Sequence, residues 1–529
     1  MKRGEGIEDL LARFLPKEPY AVVAYGSRVA GYATEESDYD YIVIIEDYKE
    51  CIRYLYKKVD DIYFSILLVD KSFFEEDVYE GRHGEFVSGR LYTVYDAVKN
   101  RDYIQSLECR LKERAILEEL CLLKTRYGEL LKYMRIPLKY FLFSRLKKRM
   151  MAYPPVKYSY YKTYYGAKGY RNLIKSLEGF RRAAENLDKR GFLSFKDDYV
   201  YLTDLKILPC SLREIVSIIS RGIKMYYTHG RSAKVSPKIV FDEFSSKIKR
   251  SLESIVPPLE MRDPDTLLEL TKGVFINEAK SIDEVIKTLM GEDIRIKRIR
   301  RKGLFSEVYL IDIEYEDGVR KLVAKKYSYI YLFKWLFIFL WLIGLKHFSL
   351  DPRKRLINEY IGFNVLNSIG VNTPKVYAVV WSPKMIIMDY IDGLSLNNMG
   401  SKEVLGFAKK FGMILGMLHS KGFTLGDTKS NNILISNGNM YILDLEQFNV
   451  DRNYAWDVGE FLLYNPILWR KLDVSSICRE FLDGYRIYVS NFREIIKNII
   501  SIRFVIAFSI VTPPNRIYRI IKCIRDFLS

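Results

Sequence analysis

Histidine and cysteine are scarce in this 529-residue chain, with four of the first and six of the second. The cysteines (Cys51, Cys109, Cys121, Cys210, Cys478, Cys523) lie far apart and form no CxxC pair. That argues against a zinc centre and against a disulfide scaffold, and fits a reducing compartment. The opening residues MKRGEGIEDL carry no long apolar run after their charges, so no secretion signal is read there and a cytoplasmic location is expected. Internal repeats and low-complexity tracts are also missing, which sets aside solenoid and linker architectures.

What is present is a globular composition: 49% hydrophobic, 28% charged and 14% aromatic, with 41 tyrosines. A chain of this length is too long for one core, and about three to four domains are expected. The net charge is +18, and residues 101–260 hold most of it, with 33 Lys/Arg against 17 Asp/Glu. So concentrated a positive field suits a polyanion such as RNA, DNA or an acidic membrane face.

Hydrophobic spacing predicts helices over 7–15 and 48–58 and strands over 20–25, 39–46 and 62–69. Residues 1–99 therefore read as a small α/β domain. Residues 100–285 read as a basic, mainly helical accessory region, in which a helix, an Arg-Gly turn and the "FLSF…YVYLT" hairpin suit a winged helix. Residues 286–529 open with three strands separated by charged turns and continue with alternating helices and strands. The overall expectation is an α+β multidomain chain.

In "AYGSRVAGYATEESDYDYIVII" (24–45), Asp38 and Asp40 stand two apart in a strand pattern, so both point to one face. A like-charged pair there is costly unless a divalent cation neutralises it. Upstream, Gly26 and Ser27 end a strand and open a helix, where backbone and helix dipole can meet a phosphate. A cation on Asp38 and Asp40 would bridge a triphosphate and an attacking oxygen. The stretch "GSRVAGYATEESDYDYIV" resembles the polymerase-β-like nucleotidyltransferases over roughly residues 1–100. That resemblance implies Mg²⁺ on Asp38 and Asp40 and a third carboxylate on the next strand. Ser65 stands at that place by alignment, with Asp60 and Asp61 at the strand's start.

A second constellation lies in "LHSKGFTLGDTKSNNILISNGNMYILDLEQF" (418–448). Asp427 is followed five residues later by Asn432, and a strand then ends in Asp444, the order of a kinase catalytic loop and metal-binding aspartate. Upstream, "KLVAKKY" supplies the strand lysine Lys325, with Lys326 as its neighbour, and a helix supplies Glu359 as the partner that aligns it on phosphates. "IIMDYIDG", with Asp389, fits the segment that would receive adenine, and Asp457 of "YAWDVGEFL" would anchor the catalytic loop. This half resembles atypical protein-kinase-like enzymes: the RIO kinases, the small archaeal kinase of the KEOPS complex and lipopolysaccharide-core sugar kinases. The resemblance implies a bilobal fold, ATP, and Mg²⁺ on Asn432 and Asp444, with Asp427 orienting the acceptor hydroxyl.

Three departures stand out. The nucleotide loop "RKGLFSEVY" has one glycine, Gly303, with Ser306 as a phosphate contact. Leu425 and Gly426 replace the usual polar lead-in to Asp427. Twelve residues separate Asp444 from Asp457, which leaves no room for a long activation loop. His419 reads as a packing residue.

Between Lys325 and Glu359, the apolar insert 327–350 approaches the length of a membrane span, yet a crossing there would separate two residues that must meet. Trp335, Trp341, Lys334 and Lys346 suit a helix lying in a membrane interface; burial against the protein is the alternative. In the basic middle, lysines and arginines interleave with Tyr153, Tyr158, Tyr160, Tyr161, Tyr164, Tyr165 and Tyr170, a mixture that suits RNA, although the rings would equally pack between helices. The combined expectation is an ATP/Mg²⁺-dependent transferase with a nucleotidyltransferase-like head and an atypical-kinase tail acting on a protein or small-molecule hydroxyl, its acceptor presented with RNA. The competing expectation is a nucleotide-binding scaffold that tethers a complex to RNA or the membrane surface.

Overall fold

A computed structural model of the protein describes residues 15–59, 62–210, 212–233, 257–291, 294–302, 307–315, 318–329, 348–469 and 472–529. The expected helix 7–15 (save Leu15), Asp60, Asp61, Gly303, Ser306 and most of the apolar insert lie outside them. Contacts divide the chain into two units, Met1–Thr271 and Lys272–Ser529.

The first unit is built on a five-stranded sheet. In chain order its strands are β1 (Ala21–Tyr25), β2 (Tyr39–Ile45), β3 (Ile52–Val59), β4 (Ile62–Asp70) and β5 (Asp96–Lys99), arranged β3-β4-β2-β1-β5. Val43, Ile45, Ile66 and Leu68 alternate onto a buried face, which pins the register. Helix spacing over 48–58 misled: the segment is β3, paired with β4 from Ile52↔Val69 to Val59↔Ile62. Asp47 and Cys51 take positive φ, making a turn that breaks any helix before the strand.

The helix Arg101–Tyr127 and the helices Leu138–Ala152, Gly166–Lys189 and Leu212–Ala233 belong to the same unit. A buried ionic cluster joins three of them, Arg101–Tyr127, Leu138–Ala152 and Leu212–Ala233, to Glu85. Glu85 meets Arg221 at 3.0 Å and Arg114 at 2.9 Å, and Glu118 meets Arg145 at 2.6 Å and Arg221 at 2.5 Å. Burial alone would push the Glu85 carboxyl up, but Arg221, Arg145 and Arg114 outweigh it and hold it at about 2. Breaking one member would strand a buried charge, so the cluster locks this packing.

The expected hairpin is present as β7 (Ser194–Lys196) and β8 (Tyr199–Tyr201). It continues into a four-stranded sheet, β7-β8-β6-β9, with β6 at Met134–Pro137 and β9 at Glu269–Leu270. The cysteine expectation needs correction, because Cys121 and Cys210 are bonded to each other. Eighty-nine residues separate them, so spacing carried no hint of the pair.

The second unit has a six-stranded sheet in the order β10-β14-β15-β13-β12-β11. Its strands are β10 (Val274–Glu278), β11 (Arg295–Lys302), β12 (Val308–Tyr315), β13 (Gly318–Lys326), β14 (Val376–Ser382) and β15 (Met385–Asp389). The helix Pro352–Ser368 bears Glu359. Among the described residues, the helix Ile282–Met290, a small sheet β16-β17-β18 (Leu394–Ser395, Ile433–Ser436, Asn439–Ile442) and six α-helices from Glu403 onward complete the unit. Among the described residues, no helix is long and apolar enough to cross a membrane.

Candidate functional site

Lys325 is the penultimate residue of β13, next to the helix Pro352–Ser368 through Glu359, and its side chain is nearly buried. Its Nζ lies 2.7 Å from Glu359 Oε2, 2.9 Å from Asp444 Oδ1 and 2.9 Å from Glu446 Oε1. Tyr327 donates its hydroxyl to the same Glu359 oxygen at 2.7 Å. Burial works against the Lys325 charge, yet Asp444, Glu359 and Glu446 outweigh it and hold the ammonium far above its usual range. Glu359 shows the opposite balance. Burial lifts its carboxyl to about 8, with Lys325 pulling it back and Asp444 and Glu446 pushing it up. Lys326 instead points away, 3.3 Å from Glu307.

The loop from Leu425 to Asn432 is held from beneath. Asp457, fully buried, accepts from the backbone N–H of Leu425 at 2.6 Å and of Gly426 at 2.8 Å. His419 bonds Asp457 at 3.1 Å and Tyr485 at 2.6 Å, so it is the packing residue expected, with the added task of orienting Asp457. The lead-in to Asp427 thus contributes only backbone, which explains why Leu425 and Gly426 suffice. Gly426 has φ +82°, and a Cβ there would lie 2.3 Å from the Gln447 carbonyl. Lys429 reaches Asp427 at 2.7 Å and Glu460 at 3.6 Å. Burial would lower its charge, but these two acids raise its pKa strongly. Asn432 closes a short turn, and its carbonyl accepts from Leu443 N–H at 3.0 Å, which sets it beside the residues leading to Asp444. Asp389 ends β15, and its carboxylate accepts from the Tyr377 hydroxyl at 2.8 Å.

Carboxylates of Glu359, Asp444 and Glu446 converge within 4.8 Å of one another, an all-oxygen donor set of the kind a hard divalent cation takes. Sequence reasoning missed Glu446, two residues beyond Asp444, and Lys429, two beyond Asp427. Spacing could have flagged both.

In the first unit, one rung crosses four strands: Tyr25, Asp40, Ser65 and Tyr56. Ser65 is buried and stands directly across from Asp40 on the neighbouring parallel strand. Burial lifts Asp40 to about 7, Asp38 pushes it further, and Arg90 and Ser65 draw it back. Gly26 has φ +81°, and a Cβ there would sit 2.1 Å from Asp40 Oδ2, so only glycine lets the turn pass over this carboxylate. Ser27 follows in the five-residue helix Gly26–Ala30. Arg90 lies close by, its guanidinium 5.0 Å from the Tyr25 ring centre and 2.6 Å from the Tyr54 hydroxyl. Of the seven tyrosines in the basic middle, Tyr153, Tyr160 and Tyr164 are buried, while Tyr165 and Tyr170 are exposed.

Similarity to known proteins supports an atypical kinase-like domain in this chain. The chain is 28% identical over 157 residues to the KEOPS complex subunit Bud32 of Pyrococcus abyssi (strain GE5 / Orsay), covering 28% of this chain and 65% of that protein. It is 27% identical over 228 residues to the "Probable bifunctional tRNA threonylcarbamoyladenosine biosynthesis protein" of Methanosarcina barkeri (strain Fusaro / DSM 804), covering 42% of this chain and 38% of that one. The chain thus spans less than two thirds of the length of either relative. The Mycobacterium tuberculosis PknI kinase domain matches at 13% identity and a TM-score of 0.23, covering 39% of this chain and 95% of that domain. No family model matches the chain.

Proposed function

We propose that the chain is an ATP/Mg²⁺-dependent transferase whose second unit moves a phosphoryl group to a hydroxyl. The observation that carries this reading is the Lys325 ammonium held within 2.9 Å of Glu359, Asp444 and Glu446, close to the neighbourhood that aligns a nucleotide's phosphates. Glu359 holds Lys325 toward the α- and β-phosphates. Asp427, fixed by Lys429, accepts a hydrogen bond from the acceptor hydroxyl and orients it. Asn432 and Asp444 would hold Mg²⁺, whose charge offsets that of the transferring phosphates. The backbone beyond Asp389 would receive the adenine, and Gly303 and Ser306 would cover the phosphates.

The first unit is assigned a nucleotidyltransferase-like site, with Gly26 and Ser27 toward the triphosphate and Asp38 and Asp40 as metal ligands. Ser65 favours a second reading of this half alone: with a hydroxyl where relatives of that family carry an acid, the site binds nucleotide as a regulatory or scaffolding element. The named relatives belong to the KEOPS complex and to tRNA threonylcarbamoyladenosine biosynthesis, which favours protein partners and an acceptor presented with RNA. A cytoplasmic protein, with peripheral membrane contact through 327–350, fits this role.

The test uses ATP labelled at the α- or the γ-phosphate, with a total tRNA pool and a protein extract as acceptors. Label from γ that vanishes in Asp444→Ala supports the kinase reading. Label from α that vanishes in Asp40→Ala supports transfer by the head, and silence from both refutes the enzyme in favour of the scaffold.

A further inference from the structure

The helix bearing Glu359 is gripped at several points by one short segment, Asp444-Leu-Glu-Gln-Phe448. Glu446 Oε2 accepts from Arg355 Nε at 2.6 Å and also pairs with Arg355 Nη2, while its other oxygen meets Lys325. Arg355 lies one turn before Glu359, so both project from the same helix face. The Glu446 carbonyl accepts from Asn358 Nδ2 at 3.1 Å. The Gln447 side chain accepts from Ser349 N–H at 2.8 Å and donates to Ser349 O at 3.2 Å, just before the helix begins. Leu445 and Phe448 press on the helix at Gly362, where a Cβ would lie 2.9 Å and 3.0 Å from their side-chain carbons.

Resting on the kinase reading, we propose that Glu446 is a positioning residue: through Arg355 it fixes the helix that presents Glu359 to Lys325, so the chain assembles this site by itself. Kinase helices of this kind commonly depend on an ordered activation loop. Here only twelve residues separate Asp444 from Asp457, and the tie comes from the metal-loop segment instead. The carboxylate is suited to this because it is 8% exposed and bridges two cations, one on the sheet and one on the helix. Losing it would remove the carboxylate that touches both of these buried cations.

The experiment uses the full chain with Glu446→Gln, Arg355→Met and the double variant. In nucleotide-free protein, hydrogen exchange in peptides covering 352–368 is expected to rise about tenfold or more in each variant, since each loses a buried charge-assisted bond. The peptides of helices 403–420 and 474–485 serve as internal references and are expected to stay unchanged. With MgATP, KM for ATP is expected to rise about tenfold with a smaller fall in kcat, and the double variant is expected to match the worse single variant, as two ends of one tie should. Unchanged exchange in 352–368 overturns the proposal. Additive effects in the double variant overturn it too, as does a uniform rise across all peptides, because either means Glu446 acts apart from Arg355 or only on global stability. Wild-type protein that fails to bind MgATP refutes the kinase reading instead, and the exchange data then decide the positioning role separately.

Discussion

Replacing Lys325 by methionine removes the one ammonium shared by Glu359, Asp444 and Glu446, at 2.7, 2.9 and 2.9 Å. Breaking a buried ion pair from one side costs about 3–5 kcal/mol, because the partner charge stays behind without compensation. The Lys325→Met variant is therefore expected to lose about that much stability in the second unit at pH 8. The loss should also depend on pH. A carboxyl raised in the folded state, as Glu359 is to about 8, binds protons that the unfolded chain has already released. Stability then falls as pH rises from about 4.5, the unfolded value, to 8, and without the ammonium this slope steepens. The destabilisation should be largest at pH 8 and should shrink toward pH 5. All five tryptophans lie between residues 335 and 469, so urea unfolding followed by tryptophan fluorescence reports this unit alone. Lys326→Met is the control: its partner Glu307 is 3.3 Å away, the lysine is 37% exposed, and a loss under about 1 kcal/mol is expected. A Lys325→Met loss below 1 kcal/mol, equal at pH 8 and pH 5.5, would refute the reasoning.

Three further outcomes are expected. Gly26→Ala places a methyl 2.1 Å from Asp40 Oδ2 at φ +81°, costing about 1–2 kcal/mol in backbone strain alone; transfer from α-labelled ATP should fall with unfolding of the second unit unchanged. His229 is held near 4, first by burial and then by Arg90, and its Nδ1 hydrogen-bonds with the Tyr153 hydroxyl. The folded state thus resists protonation, and His229 alone should remove about 2 kcal/mol between pH 7 and pH 5, read as the difference in pH dependence between wild type and His229→Phe when unfolding is followed by circular dichroism, because Asp40, raised to about 7, pulls the opposite way in both. The Cys121–Cys210 bond closes a span of 89 residues, so Cys121→Ser should cost several kcal/mol, up to about 4–5, without reductant, and dithiothreitol should bring the wild type to the same value.

Much of the site was legible from spacing because its parts are local. Asp427 and Asn432 on one loop follow from backbone geometry within a few residues, whereas only Asp40 of its pair lies on β2, Asp38 just precedes that strand, and Asp444 lies two residues beyond the end of β18. The same local reasoning placed β1, β2 and β4, and it failed at 48–58. There Tyr48, Cys51, Ile52 and Leu55 recur at helical spacing, and pairing with β4 decided for the strand. The cysteines failed for a related reason, since a pair 89 residues apart leaves no trace in spacing.

Sequence alone therefore marked the candidate acids and the candidate lysine, since residue type and short spacing dictate shared faces and shared turns. Tertiary structure decided what surrounds them. It set Ser65 beside Asp40 across parallel strands, brought Arg90 near the same carboxylate, and made Glu446 the bridge between Lys325 and Arg355. It also gathered Glu85, Glu118 and three arginines into one buried cluster. Periodicity states which side of an element is apolar or charged, but not which other element will cover it; that choice depends on the packing of surfaces far apart in the chain.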